Sequence, residues 1–208
     1  MTYALILATA TVAAVLVFLI ARQTAKLANV TIVVIATIAL ALYAVVLTQR
    51  PEQWILVNIV VLGAAGIAGS ALGLFASSRV ALTTFCVVAS AVDIYSATRG
   101  ATASLVDSYR EGSSDLLRFL AVSMPVDGTL TPILGIGDFV IIGTVCFALL
   151  RLGYPQPRLL LAPISGFLIA VIVGLTVGGI FAIPFIAATT IVYIYVHPAT
   201  GGQNCANS

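Results

Sequence analysis

Two acidic residues, Asp93 and Asp138, lie inside long apolar runs of this chain. Placing a carboxylate in hydrocarbon costs roughly 2.5–3.5 kcal/mol on insertion scales, so an acidic residue in such a run indicates a functional site. The two residues lie in consecutive runs that a polar loop separates. A pair of carboxyl groups sharing one proton is the minimum that aspartic hydrolysis requires.

The spacing of the two residues predicts that they lie at one depth. Asp93 precedes Arg99 by six residues, which corresponds to about 9 Å of helix from the polar end of its run. Thr131 and Pro132 suit the N-cap and first turn of the next helix, and Asp138 lies six residues beyond Pro132. Because one loop joins the two predicted helices, they run antiparallel. We therefore expect the carboxyl groups to meet if the helices touch.

The electrostatics of such a pair suit acid–base catalysis. Two ionised carboxylates about 4 Å apart repel by roughly 4 kcal/mol at an effective dielectric constant near 20. The pair is therefore expected to hold one shared proton over a wide pH range and to titrate as a unit. One aspartate can then activate water while the other protonates a carbonyl oxygen.

The composition indicates which elements carry these residues. The chain is 61% hydrophobic and 8% charged, whereas soluble domains are about 25% charged. Apolar runs of about 18 or more residues are typical of transmembrane helices. The predicted fold class is an all-α, polytopic membrane protein with about seven transmembrane helices. The predicted spans are 3–21, 30–48, 54–76, 80–98, 132–150, 159–178 and 181–196.

The order of the spans divides the chain into three parts. We expect residues 1–78 to form an N-terminal region of three membrane helices. Residues 79–198 are predicted to form a catalytic core of four helices with a long loop at 99–131, and a polar tail follows at 199–208. The positive-inside rule favours the extracytoplasmic side for the long loop. The protein is expected to be a multi-pass protein of the bilayer, which in a prokaryote is the cell membrane.

Glycines in the third span indicate close helix packing. Gly63, Gly66, Gly69 and Gly73 lie there, and the last two have GxxxG spacing. Small residues at such positions allow the backbones of membrane helices to approach closely. We expect a structural role for these glycines.

No pattern of metal ligands is present in the sequence. Cys86 and Cys146 lie inside predicted spans, Cys205 lies in the tail, and His197 is the only histidine. Their spacing matches no common metal motif. We expect no metal or other cofactor and no nucleic-acid partner, and the sequence leaves the oligomeric state open.

The surroundings of the two aspartates resemble a known family. The segment GIGDF at 135–139 resembles the GxGD motif of the presenilin and signal peptide peptidase family of intramembrane aspartyl proteases. The segment AVDIY at 91–95 resembles the first-aspartate helix of that family, with Val92 where tyrosine is usual. A third family element, a Pro-Ala-Leu motif, opens the final helix. Ala182, Ile183 and Pro184 approximate it, and its leading proline is absent.

This resemblance covers residues 80–196 and does not extend to the first three spans. Family members usually have nine spans, so the chain resembles a shortened, microbial-type member with a presenilin-like core in its last four helices. The resemblance implies water-dependent cleavage within transmembrane helices of substrate proteins or within signal peptides, with Asp93 and Asp138 as the catalytic residues. It implies neither metal nor covalent intermediate. The residues expected to support the site or bind substrate are Gly135, Gly137, Ala182, Ile183 and Pro184.

The segment before the GxGD helix has its own prediction. Asp127 and Gly128 are typical of a tight turn and predict a small strand or hairpin. The family resemblance implies that residues 126–131 pair with an unwound substrate as an added strand, a known mode of peptide recognition.

Three other interpretations remain open at the level of sequence. A prepilin-peptidase-like protease also uses a GxGD aspartate, but usually has a basic residue two positions after it, where this chain has Val140. A proton- or cation-coupled transporter that used both aspartates as a relay should show internal repeats with broken helices, and none is found. An aspartate can also simply form a hydrogen bond across a packed interface.

Overall fold

A computed structural model of the chain describes residues 2–49, 54–112, 120–126, 129–155, 159–177 and 181–197. These residues are mostly helical, and a two-stranded sheet lies between the fifth and sixth helices described here. The helices are α1 (Thr2–Thr24), α2 (Asn29–Gln49), α3 (Trp54–Gly73), α4 (Arg79–Arg99), α5 (Ala101–Arg110), α6 (Ile136–Arg151), α7 (Leu161–Val177) and α8 (Ile183–Val196). The strands are β1 (Ala121–Val126) and β2 (Thr129–Gly135).

The predicted mainly helical, apolar architecture is confirmed. Each of the seven predicted spans coincides with a helix, and six begin and end within about three residues of it. Within the described residues, three stretches of helix are long and apolar enough to cross a membrane, namely Tyr3–Thr24, Trp54–Gly73 and Arg79–Ser108. Shorter apolar stretches are Asn29–Tyr43, Leu161–Thr176 and Ile183–Val196. The predicted tail at 199–208 lies outside the described residues.

The predicted start of the fifth span is wrong. Pro132 lies in strand β2 instead of a first helical turn, and α6 begins at Ile136. Thr131 precedes the proline, and the residue before a proline is disfavoured in helical conformation. The β-branched Thr129, Thr131 and Ile133 favour a strand as well. Asp138 therefore lies in the first turn of α6 and not six residues inside a helix.

The predicted hairpin is confirmed and is longer than the turn signal suggested. Strands β1 and β2 are antiparallel, with Val126 opposite Thr129 near the turn and Ala121 opposite Gly135 at the far end. The turn residues 127–128 lie outside the described part of the chain. The register is interrupted between Val122 and Ser123, so that β2 carries one additional residue there. The second strand of the hairpin leads directly into the GxGD helix, α6.

Helix α6 lies at the centre of the bundle. Phe139, Ile142, Val145 and Phe147 are fully buried along it, and α1 and α3 pack against it. The helices of the predicted N-terminal region and those of the predicted catalytic core thus share one apolar core. The position of Asp138 therefore depends on helices outside the segment that resembles the protease family.

Close approach of α3 to α6 explains two of the predicted packing glycines. A Cβ atom at Gly69 would lie 2.9 Å from the backbone nitrogen of Thr144, and one at Gly73 would lie 2.7 Å from Cδ1 of Phe147. Such separations exclude a side chain, so the predicted structural role of this pair is confirmed. A Cβ atom at Gly63 would have no described atom within 4 Å, so packing against the described residues does not require glycine there.

The remaining helices form a row beside this centre. Helix α8 packs against α7 on one side and against α4 on the other. The contact between α7 and α8 is close at Gly166, where an added Cβ would lie 2.7 Å from Cα of Ile186. This row brings α4, which carries Asp93, alongside the start of α8.

Candidate active site

Asp93 lies near the C-terminal end of α4 and is partly buried. Its Oδ2 atom accepts a hydrogen bond from the backbone N–H of Ile183, with an N···O distance of 3.3 Å. Ile183 is the first residue of α8, and the first N–H groups of a helix have no partner within the helix. A carboxylate is electrostatically favourable at this end of a helix. The bond therefore orients Asp93 and caps α8.

Asp138 enters the site from the first turn of α6. Gly135 at the end of β2 is the N-cap of this helix. A Cβ atom at Gly135 would lie 3.5 Å from Oδ2 of Asp138, which is ordinary van der Waals contact. A larger side chain at this position would compete for the space beside the carboxyl group. At Gly137 an added Cβ would meet no described atom within 4 Å.

The two aspartates come together across three helices. Asp93 lies close enough to Asp138 for the two groups to interact electrostatically. Ala182, which precedes the residue bonded to Asp93, lines a cavity of about 260 Å³ together with Asp138. The structure therefore brings together Asp93, Asp138, Ala182 and Ile183. Pro184 follows as the second residue of α8, where the missing N–H removes no bond within the helix.

The cavity beside Asp138 is largely apolar. Helix α7 contributes one wall, and residues from β2 and α1 complete it. An apolar cleft with a small number of polar groups is the usual form of a binding site for an apolar ligand. Its lining residues are Ile6, Ile133, Leu134, Asp138, Phe167, Ala170, Val171, Gly174, Leu175 and Ala182.

Sequence reasoning missed the contribution of α7. Phe167, Ala170, Val171 and Gly174 are spaced at three, four and seven residues and therefore share one face of the helix. That spacing was visible in the sequence, but it also fits an ordinary packed face. Only the packing of the helices shows that this face of α7 lines the cavity beside Asp138.

A second contact that sequence reasoning missed joins α3 to the hairpin. The side-chain amide of Asn58 forms two hydrogen bonds with the backbone of Ser123 in β1. An amide in an apolar helix is a signal that could have drawn attention to this position, since polar side chains often join membrane helices to their neighbours.

The arrangement supplies the groups for acid–base chemistry. Two interacting carboxyl groups can hold one proton between them, so that one acts as a base while the other acts as an acid. Among the residues that the structure describes, no three His, Cys, Asp or Glu side chains are grouped so as to hold a metal ion.

Comparison of the chain with family models, with curated proteins and with solved structures gives no match. Because a fold alone does not define an activity, the function must follow from the chemistry of the site.

Proposed function

We propose that this protein is an intramembrane aspartyl endopeptidase. It would hydrolyse peptide bonds within the transmembrane helices of substrate proteins or within signal peptides. The observation that carries the proposal is a linked set of contacts. Asp138 and Ala182 line one apolar cavity, and Asp93 both accepts the N–H of Ile183, next to Ala182, and interacts electrostatically with Asp138. Three separate segments that resemble parts of the presenilin and signal peptide peptidase family contribute these groups. Their proximity supports a shared role.

The proposal includes a multi-pass membrane arrangement of the seven apolar helices. Helix α4 supports it, because Val87, Val88 and Val92 are each more than half exposed on its surface. Large contiguous apolar surfaces are unusual on soluble monomers and mark contact with a partner or a membrane. In a bilayer this face of α4 would contact lipid, while Asp93 faces α8.

In the proposed reaction the dyad begins with one proton. The ionised aspartate removes a proton from water as the water oxygen bonds to the scissile carbonyl carbon, and the protonated aspartate donates its proton to the carbonyl oxygen. The resulting gem-diol then breaks its C–N bond while one aspartate protonates the leaving nitrogen. The diol returns a proton to the other aspartate as it becomes the new carboxyl group. The pair ends, as it began, with one proton.

Substrate recognition would use the hairpin and the cavity. The family resemblance implies strand pairing before the GxGD helix, and β2 provides an extended segment at Thr129–Gly135. Pairing with a strand edge opens a helical substrate and exposes its peptide bonds. Gly135 ends the strand three residues before Asp138, so a paired substrate would run toward the dyad. The apolar cavity would accept a neighbouring substrate side chain.

The test is proteolysis in a reconstituted membrane. The purified protein is placed in vesicles with a single-span helical substrate, and the products are identified by mass spectrometry. We expect cleavage within the span by the wild type and none by Asp138→Ala. Asp107→Ala, which changes an exposed aspartate on α5, serves as the matched control and is expected to cleave normally.

Intact substrate after incubation with correctly folded wild-type protein would contradict the proposal. Cleavage by Asp138→Ala at the wild-type rate would contradict the assignment of this residue. Proton or cation flux without proteolysis would favour the transporter interpretation.

A further inference from the structure

Asn58 lies in the first half of α3, where its side-chain amide interrupts an otherwise apolar stretch of helix. Its Nδ2 atom donates to the carbonyl oxygen of Ser123 at 2.7 Å. In return, the backbone N–H of Ser123 donates to Oδ1 of Asn58, with an N···O distance of 3.0 Å. One side-chain amide thus bonds both backbone groups of a strand residue. A neighbouring antiparallel strand makes the same pair of bonds at a hydrogen-bonded position.

The direction of these bonds identifies the edge of β1 that is covered. In an antiparallel ladder, the N–H and C=O groups of one residue point to the same side, and the side alternates along the strand. Leu120 points toward β2, since its carbonyl oxygen accepts from the N–H of Ile136 at 3.0 Å. Ser123 lies three residues further and therefore points away from β2, toward α3. Asn58 closes the outer edge of β1 at this point.

The other strand presents a different edge. Pro132 lies opposite Ser123 and Gly135 lies opposite Ala121, so the backbone groups of both residues on β2 point away from β1. Pro132 offers only a carbonyl oxygen, whereas Gly135 offers its N–H, since the carbonyl of an N-cap residue accepts the first hydrogen bond of the helix. Ile133 is the additional residue of a bulge between these positions, and bulges re-aim a strand close to functional sites. The outer edge of β2 thus offers an acceptor at Pro132 and a donor at Gly135, close to Asp138.

We propose that Asn58 is a positioning residue that selects the strand edge to which substrate adds. By occupying the edge of β1, Asn58 leaves β2 as the receiving strand and fixes the distance between that strand and the dyad. This proposal rests on the proposed proteolytic function. It also assigns a task to α3, which lies outside the segment that resembles the protease family.

The experiment compares the wild type with Asn58→Leu, which keeps the approximate size of the side chain and removes both hydrogen bonds. Thr37→Val on α2 is the matched control, because among the described residues the hydroxyl of Thr37 bonds within its own helix, to the carbonyl of Val33. Amide hydrogen exchange at residues 121–126 measures the anchoring of β1. Steady-state cleavage and mass spectrometry of the products measure KM, kcat and the positions of the cuts.

We expect exchange of the Ser123 amide to accelerate by about tenfold or more in Asn58→Leu, since both hydrogen bonds that hold this residue to α3 are lost. KM should rise by about tenfold while kcat changes by less than about threefold, and additional cut positions should appear. Thr37→Val should match the wild type in every measurement. Asn58→Gln, which keeps both amide groups, should restore much of the slow exchange and the original cut positions.

The outcomes separate the two proposals. Failure of the wild type to cleave would contradict the protease assignment, whereas Ser123 exchange would still report the anchor. Wild-type cleavage combined with unchanged KM and cut positions in Asn58→Leu would contradict the positioning role. If Asn58→Leu loses its helical structure in circular dichroism, Asn58→Ala, which also removes both hydrogen bonds, takes its place. An equal loss of rate at every cut position in that folded variant would contradict selection of an edge.

Discussion

Asp93 makes two interactions. Its carboxyl group accepts a hydrogen bond from the N–H of Ile183 at the start of α8, and it also interacts electrostatically with Asp138. A carboxylate has about four acceptor positions, so capping and catalysis are compatible. The sequence identified both aspartates because an acidic residue in an apolar run is costly. It also selected Ala182 and Ile183, but only through resemblance to a family motif. Nothing in their residue types indicated the hydrogen bond to Asp93.

The first prediction concerns pH. Because the proposed reaction needs one proton on the pair, the rate of cleavage should follow a bell-shaped profile. At low pH both carboxyl groups are protonated and no base remains, whereas at high pH both are ionised and no acid remains. The measurement is initial cleavage rate against pH in vesicles, under conditions in which chemistry limits the rate. A profile that stays flat through both limbs would contradict a shared proton.

The second prediction concerns Gly135. A methyl group there would lie in ordinary contact with Asp138, so Gly135→Ala should cleave within about threefold of the wild-type rate. Gly135→Leu would fill the space beside the carboxyl group and should reduce the rate by at least about tenfold. Gly63→Leu on α3 is the matched control, since an added Cβ meets no described atom within 4 Å there. Wild-type rates in Gly135→Leu would show that this space is not needed.

At the scale of elements, apolar runs predicted the helices but not the start of α6. The pair Thr131 and Pro132 suits a helix N-terminus, and the same pair also suits a strand because proline restricts the residue before it. Pairing with β1 decided between the two. The turn signal at Asp127 and Gly128 predicted a hairpin, but it did not show that the second strand extends past Pro132 to Gly135. Asp138 therefore lies at the start of α6, and β2 leads directly into the GxGD segment.

The third prediction concerns the contact between α3 and α6. Gly69→Leu should destabilise the protein by more than about 2 kcal/mol, because the side chain would collide with the backbone of α6. Gly63→Leu on the same helix should change stability by less than about 0.5 kcal/mol, since packing against the described residues does not require glycine there. Unfolding in detergent, followed by circular dichroism, measures both variants. Equal stability of the two variants would contradict the packing argument.

For the whole molecule, composition predicted a helical, apolar protein, whereas the arrangement of the helices needed the structure. The order of the helices along the chain does not predict that α6 lies at the centre of the bundle. Nor does it predict that α8 packs between α4 and α7. The N-terminal helices also pack into the same apolar core as the helices that carry the two aspartates. In the proposed enzyme they hold α6 through close backbone contacts and anchor the hairpin through Asn58. These tasks follow from the packing of the whole bundle.

The central claim is that Asp93 and Asp138 act as one catalytic unit. The most direct measurement is the rate of substrate cleavage in vesicles by Asp93→Asn, Asp138→Asn and the double variant, with Asp107→Asn as the control. Residues that act as a unit are not additive, so each single substitution should reduce the rate to the background that the double variant shows. The control should retain wild-type activity. Substantial cleavage by either folded single variant, or a further loss in the double variant, would contradict the dyad.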